Sequence, residues 1–162
     1  MLSIACRTTA ELALTATHLL DVNVLVALFD PAHIHHEAAH GWFGTFGSAG
    51  WATCPLTENG LVRVISNPAY PGRRTTVADA IDRLRSFTES EAHAFWPDDV
   101  SLLQPRCVDG SYLAGHQEIT DVYLLTLAVH HSGALATFDR KVRSQAVLGA
   151  GDEHLLVINP GT

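Results

Sequence analysis

Cysteine is scarce in this 162-residue chain: there are three, Cys6, Cys54 and Cys107, an odd number with no paired close spacing. Neither a disulfide framework nor a cysteine zinc cluster is supported, and a reducing cytoplasm fits best. Long apolar runs are also missing. None approaches the roughly 20 residues that a membrane-spanning helix requires, so no membrane association is expected. Positive charge is thin, with 10 Lys and Arg against 17 Asp and Glu and a formal net charge of −7. That argues against binding nucleic acid by bulk attraction alone, although a site that stores carboxylates looks acidic until cations fill it. Repeats and low-complexity linkers are absent. Residues 1–16 lack the basic start and continuous apolar centre of a signal peptide. Residues 1–17 therefore read as an N-terminal extension, and 18–162 as one domain whose core needs no staples.

What is present is an alternation of short apolar runs and helical periods. His18 to Leu25 suits a buried parallel strand, Trp51 to Thr53 a brief second one, and Ala92 to Trp96, Ala134 to Phe138 and Leu155 to Ile158 three more. Between them, helices are expected over Pro31 to Phe46, Pro55 to Ser66, Thr75 or Thr76 to Thr88, and Thr120 to His131. Pro105 to Tyr112 is ambiguous. Alternating strands and helices predict an α/β three-layer sandwich, a central parallel sheet flanked by helices, with ligands at the strand C-termini.

Four acids occupy places where acids are costly. Asp21 interrupts the first apolar strand. Glu58 shares a helical stripe with Leu61, Val62 and Ile65, and Asp121 shares one with Leu124, Leu125 and Ala128. Asp139 follows the strand Ala134-Leu-Ala-Thr-Phe. Each has a plain structural explanation, such as a helix-end charge or a turn cap. Together they predict one cluster at the strand ends. Two unit charges at 4 Å repel by roughly 4 kcal/mol at an effective dielectric of 20, so protons or cations must compensate. Oxygen-rich sites suit Mg²⁺ or Mn²⁺, the compensation favoured here.

These residues resemble a known family. Leu20-Asp21-Val-Asn23-Val-Leu, Thr57-Glu58-Asn-Gly, Thr120-Asp121-Val-Tyr-Leu-Leu and Ala136-Thr137-Phe-Asp139-Arg140 are similar, in order and spacing, to the acidic motifs of PIN domains. Among these the chain most resembles VapC-type toxins of toxin–antitoxin pairs, from about His18 to Asn159. The resemblance implies a Mg²⁺-dependent (or Mn²⁺-dependent) endoribonuclease that acts on RNA, is blocked by a cognate antitoxin and forms a homodimer. It carries the metal-holding and catalytic roles onto Asp21, Glu58, Asp121 and Asp139, with Asn23 and Thr137 in support. For the phosphate backbone the candidates are Arg63, Arg73, Arg74, Arg106, Arg140, Lys141 and Arg143, because arginine suits bidentate phosphate contacts.

One motif argues for something else. His36-Glu37-Ala-Ala-His40 matches H-E-x-x-H, the helical signature that sets two histidines on one face for zinc with glutamate as general base. A zinc metalloprotease is thus the rival enzyme, with Glu58 as a conceivable third ligand. A non-catalytic domain whose acids hold a partner's arginines is the other alternative. The fold itself explains the motif if His33, His35, His36 and His40 lie on a partly exposed helix beside Trp42 and Phe43.

Overall fold

The computed structural model describes residues 16–160, so most of the proposed N-terminal extension lies outside the described residues. Its frame is five short strands: β1 (His18–Leu20), β2 (Trp51–Thr53), β3 (His93–Phe95), β4 (Ala134–Thr137) and β5 (Leu155–Val157). All neighbouring pairs are parallel, and the order across the sheet is β3-β2-β1-β4-β5. From β1 the chain first winds outward through β2 and β3, then returns to lay β4 on the other side of β1. The reversal leaves a crevice between the C-terminal ends of β1 and β4, where open parallel sheets bind ligands.

The helices are α1 (Val22–Phe29), α2 (His36–Thr45), α3 (Pro55–Ile65), α4 (Val77–Thr88) and α5 (Ile119–His130). Alternation of side chains along the strands sorts the core into two layers. Leu20, Trp51 and Ala136 pack with Leu25, Trp42, Leu61 and Leu84 from α1 to α4. On the other face, Leu19, Ala52 and Leu135 pack with Val122, Leu124, Leu125 and Ala128 of α5. The expected three-layer arrangement is therefore present, with four helices on one side and one on the other.

Two boundaries differ from the sequence expectation. The first strand stops at Leu20 instead of continuing to Leu25, and α1 begins at Val22 with Asp21 alone between them. A continuous apolar run such as Val22-Asn-Val-Leu-Val-Ala-Leu-Phe suits a buried strand and a buried helix equally. The deciding group is Asp21, whose Oδ1 accepts from the Val22 N–H at 2.6 Å while its extended backbone starts the helix. The second difference is that α2 starts at His36, not Pro31. Asp30 and His33 take the chain through turns, accepting from Ala32 N–H (2.9 Å) and His35 N–H (3.1 Å). Elsewhere the expected signals operate. Pro55 opens α3, and Thr76 caps α4 by accepting from Asp79 N–H at 3.1 Å. The ambiguous stretch after Pro105 holds an isolated antiparallel bridge, Val108 to Val147, and one turn of 3-10 helix at Gly110–Tyr112.

Candidate active site

Asp21 and Asp139 are brought to the crevice by the ends of β1 and β4, which lie side by side in register, Leu20 opposite Ala136. Thr137 ties them together. Its hydroxyl donates to Asp21 Oδ2 at 2.6 Å and accepts from Asn23 Nδ2 (3.1 Å) and from the Asp139 backbone N–H (3.0 Å). Asn23 in turn accepts from Phe138 N–H at 3.2 Å, which fixes the amide. Asp139 Oδ1 accepts from Lys141 N–H at 2.7 Å, closing the turn after β4. The two polar supports expected from sequence thus form the bridge between two of the expected acids.

Asp121 enters from the first turn of α5. Its carboxyl is pushed up to about 6, first by burial and then by the negative charges of Asp21, Asp139 and Glu118. Asp21, 5% exposed, is also raised, chiefly by burial and further by Asp139, while its bonds from Thr137, Val22 and Asn23 pull the other way. Three aspartates therefore share one field of uncompensated negative charge. Glu118, which the sequence did not single out, adds to it and is itself held by Arg143 at 2.8 Å.

Glu58 stands at the C-terminal end of β2. The buried positions of α3 are Thr57, Gly60, Leu61 and Ile65, which puts Glu58 on the flank of the apolar stripe. Its carboxylate accepts from the Thr53 hydroxyl at 2.6 Å, and His93 Nε2 lies 2.8 Å from Thr53 Oγ1. Because Thr53 donates to Glu58, His93 supplies the N–H. Glu58 is not among the charges that act on Asp21 or Asp121, although it does oppose the burial that lowers the His93 pKa. Electrostatic coupling thus links three of the four expected acids, and Glu58 is tied to Thr53 at the C-terminal end of β2.

The donor set fits a hard divalent cation. Asp139 acts on Asp21, and both act on Asp121, a mutual repulsion of the kind that such an ion relieves. The basic candidates surround this centre unevenly. Arg140 and Lys141 follow Asp139 directly and are exposed, with Arg140 donating to Asn159 Oδ1 at 3.2 Å. Arg73 and Arg74 line an open cavity with Asp30, Tyr70 and Arg83 beyond the end of α1. Arg63 and Arg106 are exposed.

The H-E-x-x-H histidines have other work. His36 Nδ1 lies 2.8 Å from the Ala27 carbonyl oxygen and His40 Nε2 lies 3.0 Å from that of Leu28. Both carbonyls belong to the last turn of α1, where helix geometry leaves acceptors without partners. The two rings thus cap one helix with another, and among the described residues no further histidine, cysteine or acid completes a ligand group with them, so the metalloprotease alternative is not favoured.

Residues 18–148 match the family model described as PIN domain. The chain is 46% identical over 140 residues to Ribonuclease VapC44 of Mycobacterium tuberculosis (strain H37Rv), covering 86% of this chain and 98% of that protein. It is 46% identical to Ribonuclease VapC39 of the same strain over 82% of this chain and 96% of that one. With Ribonuclease VapC38 it shares 44% over 76% and 86%. A topological crevice holding three aspartates, and likeness along most of the chain, lead to one conclusion: the chain belongs to the PIN-domain family, among its VapC ribonucleases.

Proposed function

We propose that this protein is a metal-dependent endoribonuclease, the toxin of a toxin–antitoxin pair, in which Asp21, Asp121 and Asp139 hold Mg²⁺ or Mn²⁺. The observation that carries the reading is the unmatched charge of these three aspartates at the crevice, with Asp121 raised to about 6 by burial and then by the charges of Asp21 and Asp139. When bound, the cation supplies activation of a water for in-line attack on a phosphodiester and neutralises charge on the leaving oxygen. Thr137 and Asn23 orient Asp21 by donating to it or to its partner, and they oppose the burial that raises its pKa. Glu58 acts at one remove, fastening α3 to the end of β2 through Thr53.

Arg140 and Lys141 flank the centre, and Arg73 and Arg74 beyond the far end of α1 offer further contacts for the RNA backbone. The same acids are the natural target for arginines of a cognate antitoxin, which would occupy the centre without supplying a metal. The reading includes a homodimer working in the cytoplasm; no described helix is long and apolar enough to cross a membrane.

The test is cleavage of RNA by purified protein with and without a chelator, with the 5′ ends of the products mapped. Activity is expected to need Mg²⁺ or Mn²⁺, to leave 5′-phosphate and 3′-hydroxyl ends, and to vanish in Asp21→Asn, Asp121→Asn and Asp139→Asn. Full activity in the chelator would overturn the proposal.

A further inference from the structure

With His36 and His40 committed to the fold, a different pair of histidines meets an acid. His130 closes α5 and His131 follows it, and both rings turn to Asp99 in the irregular segment after β3. His131 Nε2 is 3.1 Å from Asp99 Oδ1 and His130 Nε2 is 3.5 Å from Oδ2. One ligand atom from each of the three residues falls within 4.8 Å of the others. We propose that Asp99, His130 and His131 form a site for a divalent transition-metal ion of the zinc class, distinct from the aspartate centre.

Geometry is the first support. Tetrahedral zinc holds nitrogen and carboxylate oxygen at about 2.0 to 2.2 Å, which sets neighbouring ligand atoms roughly 3.4 Å apart. The two histidine-to-aspartate distances, 3.1 and 3.5 Å, one to each carboxylate oxygen, lie close to that spacing. The second support is rigidity. The His131 ring stacks on the Trp96 indole with centroids 4.6 Å apart and planes 9° from parallel. Trp96 is itself buried and pressed against Gly133, where an added Cβ would come within 2.5 Å of the indole. The backbone between ring and indole is pinned as well: Gly133 N–H donates to Ala128 O at 2.9 Å and Ser132 takes the left-handed turn, φ 54°. One imidazole is therefore oriented before any ion arrives, which lowers the cost of binding.

Chemistry and field agree with the geometry. Two imidazoles and one carboxylate are a borderline set that suits zinc, cobalt or nickel over magnesium. The C-terminal end of a helix carries negative partial charge and favours a cation. The side chains of His130, His131 and Asp99 are 51%, 22% and 40% exposed, so water can fill the remaining coordination positions. A bound ion joins the segment after β3 to the end of α5. Asp121 lies nine residues earlier on that helix, roughly 14 Å along its axis, so the two centres can be separated by mutation.

The experiment uses tag-free, metal-stripped full-length protein titrated with Zn²⁺ by calorimetry and with Co²⁺ by visible absorption. Wild type is compared with Asp99→Asn, His130→Ala and the aspartate-centre variant Asp21→Asn/Asp121→Asn. His130→Ala leaves the Trp96 stack intact, and circular dichroism confirms that each variant is folded. One tight equivalent of Zn²⁺ is expected in wild type and in the aspartate-centre variant, weakened by at least ~10-fold in Asp99→Asn and His130→Ala. Zinc binding that survives both of those changes overturns the proposal. So does binding that disappears with the aspartate centre, or no binding by wild type.

Discussion

Thr137 has one hydroxyl hydrogen and spends it on Asp21, while its lone pairs receive Asn23 and the Asp139 backbone. Replacing it with valine keeps the shape and strands a buried carboxylate oxygen. Thr137→Val is expected to cost about 1 to 3 kcal/mol in urea unfolding and to reduce RNA cleavage by displacing two of the three aspartates. Asp121 gives a pH-dependent test. Its carboxyl titrates near 6 in the folded chain against an ordinary 3.8, so the folded state holds the extra proton between those values. Ionising it above about 6 costs stability, which returns as pH falls toward 4. His18, buried and kept neutral, works in the opposite direction below 6.5. Comparison of wild type with Asp121→Asn separates the two. Without metal, the variant should melt higher than wild type at about pH 7.5, with the gap closing by about pH 4.5. Saturating Mg²⁺ should erase the difference by stabilising wild type alone.

At the level of elements, α1 is held from both ends. At its start Gly60 of α3 lies against Val22, where an added Cβ would sit 2.5 Å from Val22 Cγ2. Gly60→Ala is expected to destabilise by about 1 to 3 kcal/mol and to lower cleavage, because α1 cannot shift without moving Asp21 at its cap. At its end the two histidines of α2 satisfy its carbonyls, so His36→Ala/His40→Ala should lose about 1 to 3 kcal/mol of stability without changing zinc content. These contacts also explain what was legible in the sequence. The stripe containing Asp121 is plain because Leu124, Leu125 and Ala128 are fully buried. Glu58 borders the buried stripe instead of lying within it, because periodicity does not resolve one helical position of about 100° when the flanking residues are also apolar. The H-E-x-x-H spacing is real, but a pattern of residues cannot say whether two imidazoles face an ion or a carbonyl. Adjacent histidines at a helix end, with their acid more than 30 residues away on a loop, leave no spacing to find at all.

On the scale of the whole molecule, the strand order puts the reversal point between β1 and β4. Alternating elements foretold the parallel sheet, but no local signal fixes which strand is central; that depends on long-range packing. Neutralising any of the three aspartates should reduce cleavage beyond the roughly 10- to 100-fold that supporting partners of a metal site cost, while Glu58→Gln should fall within that range. Single-turnover rates on one RNA would rank them; a Glu58→Gln loss equal to that of Asp139→Asn would place its carboxylate in the chemistry.

Asp21 is also the residue that turns a strand into a helix, accepting from the first N–H of α1 as it faces the crevice. Drift that silences the nuclease at this position therefore damages the architecture too. Asparagine, which still caps a helix but carries no charge, is the narrow exit by which such a lineage could go inert and stay folded.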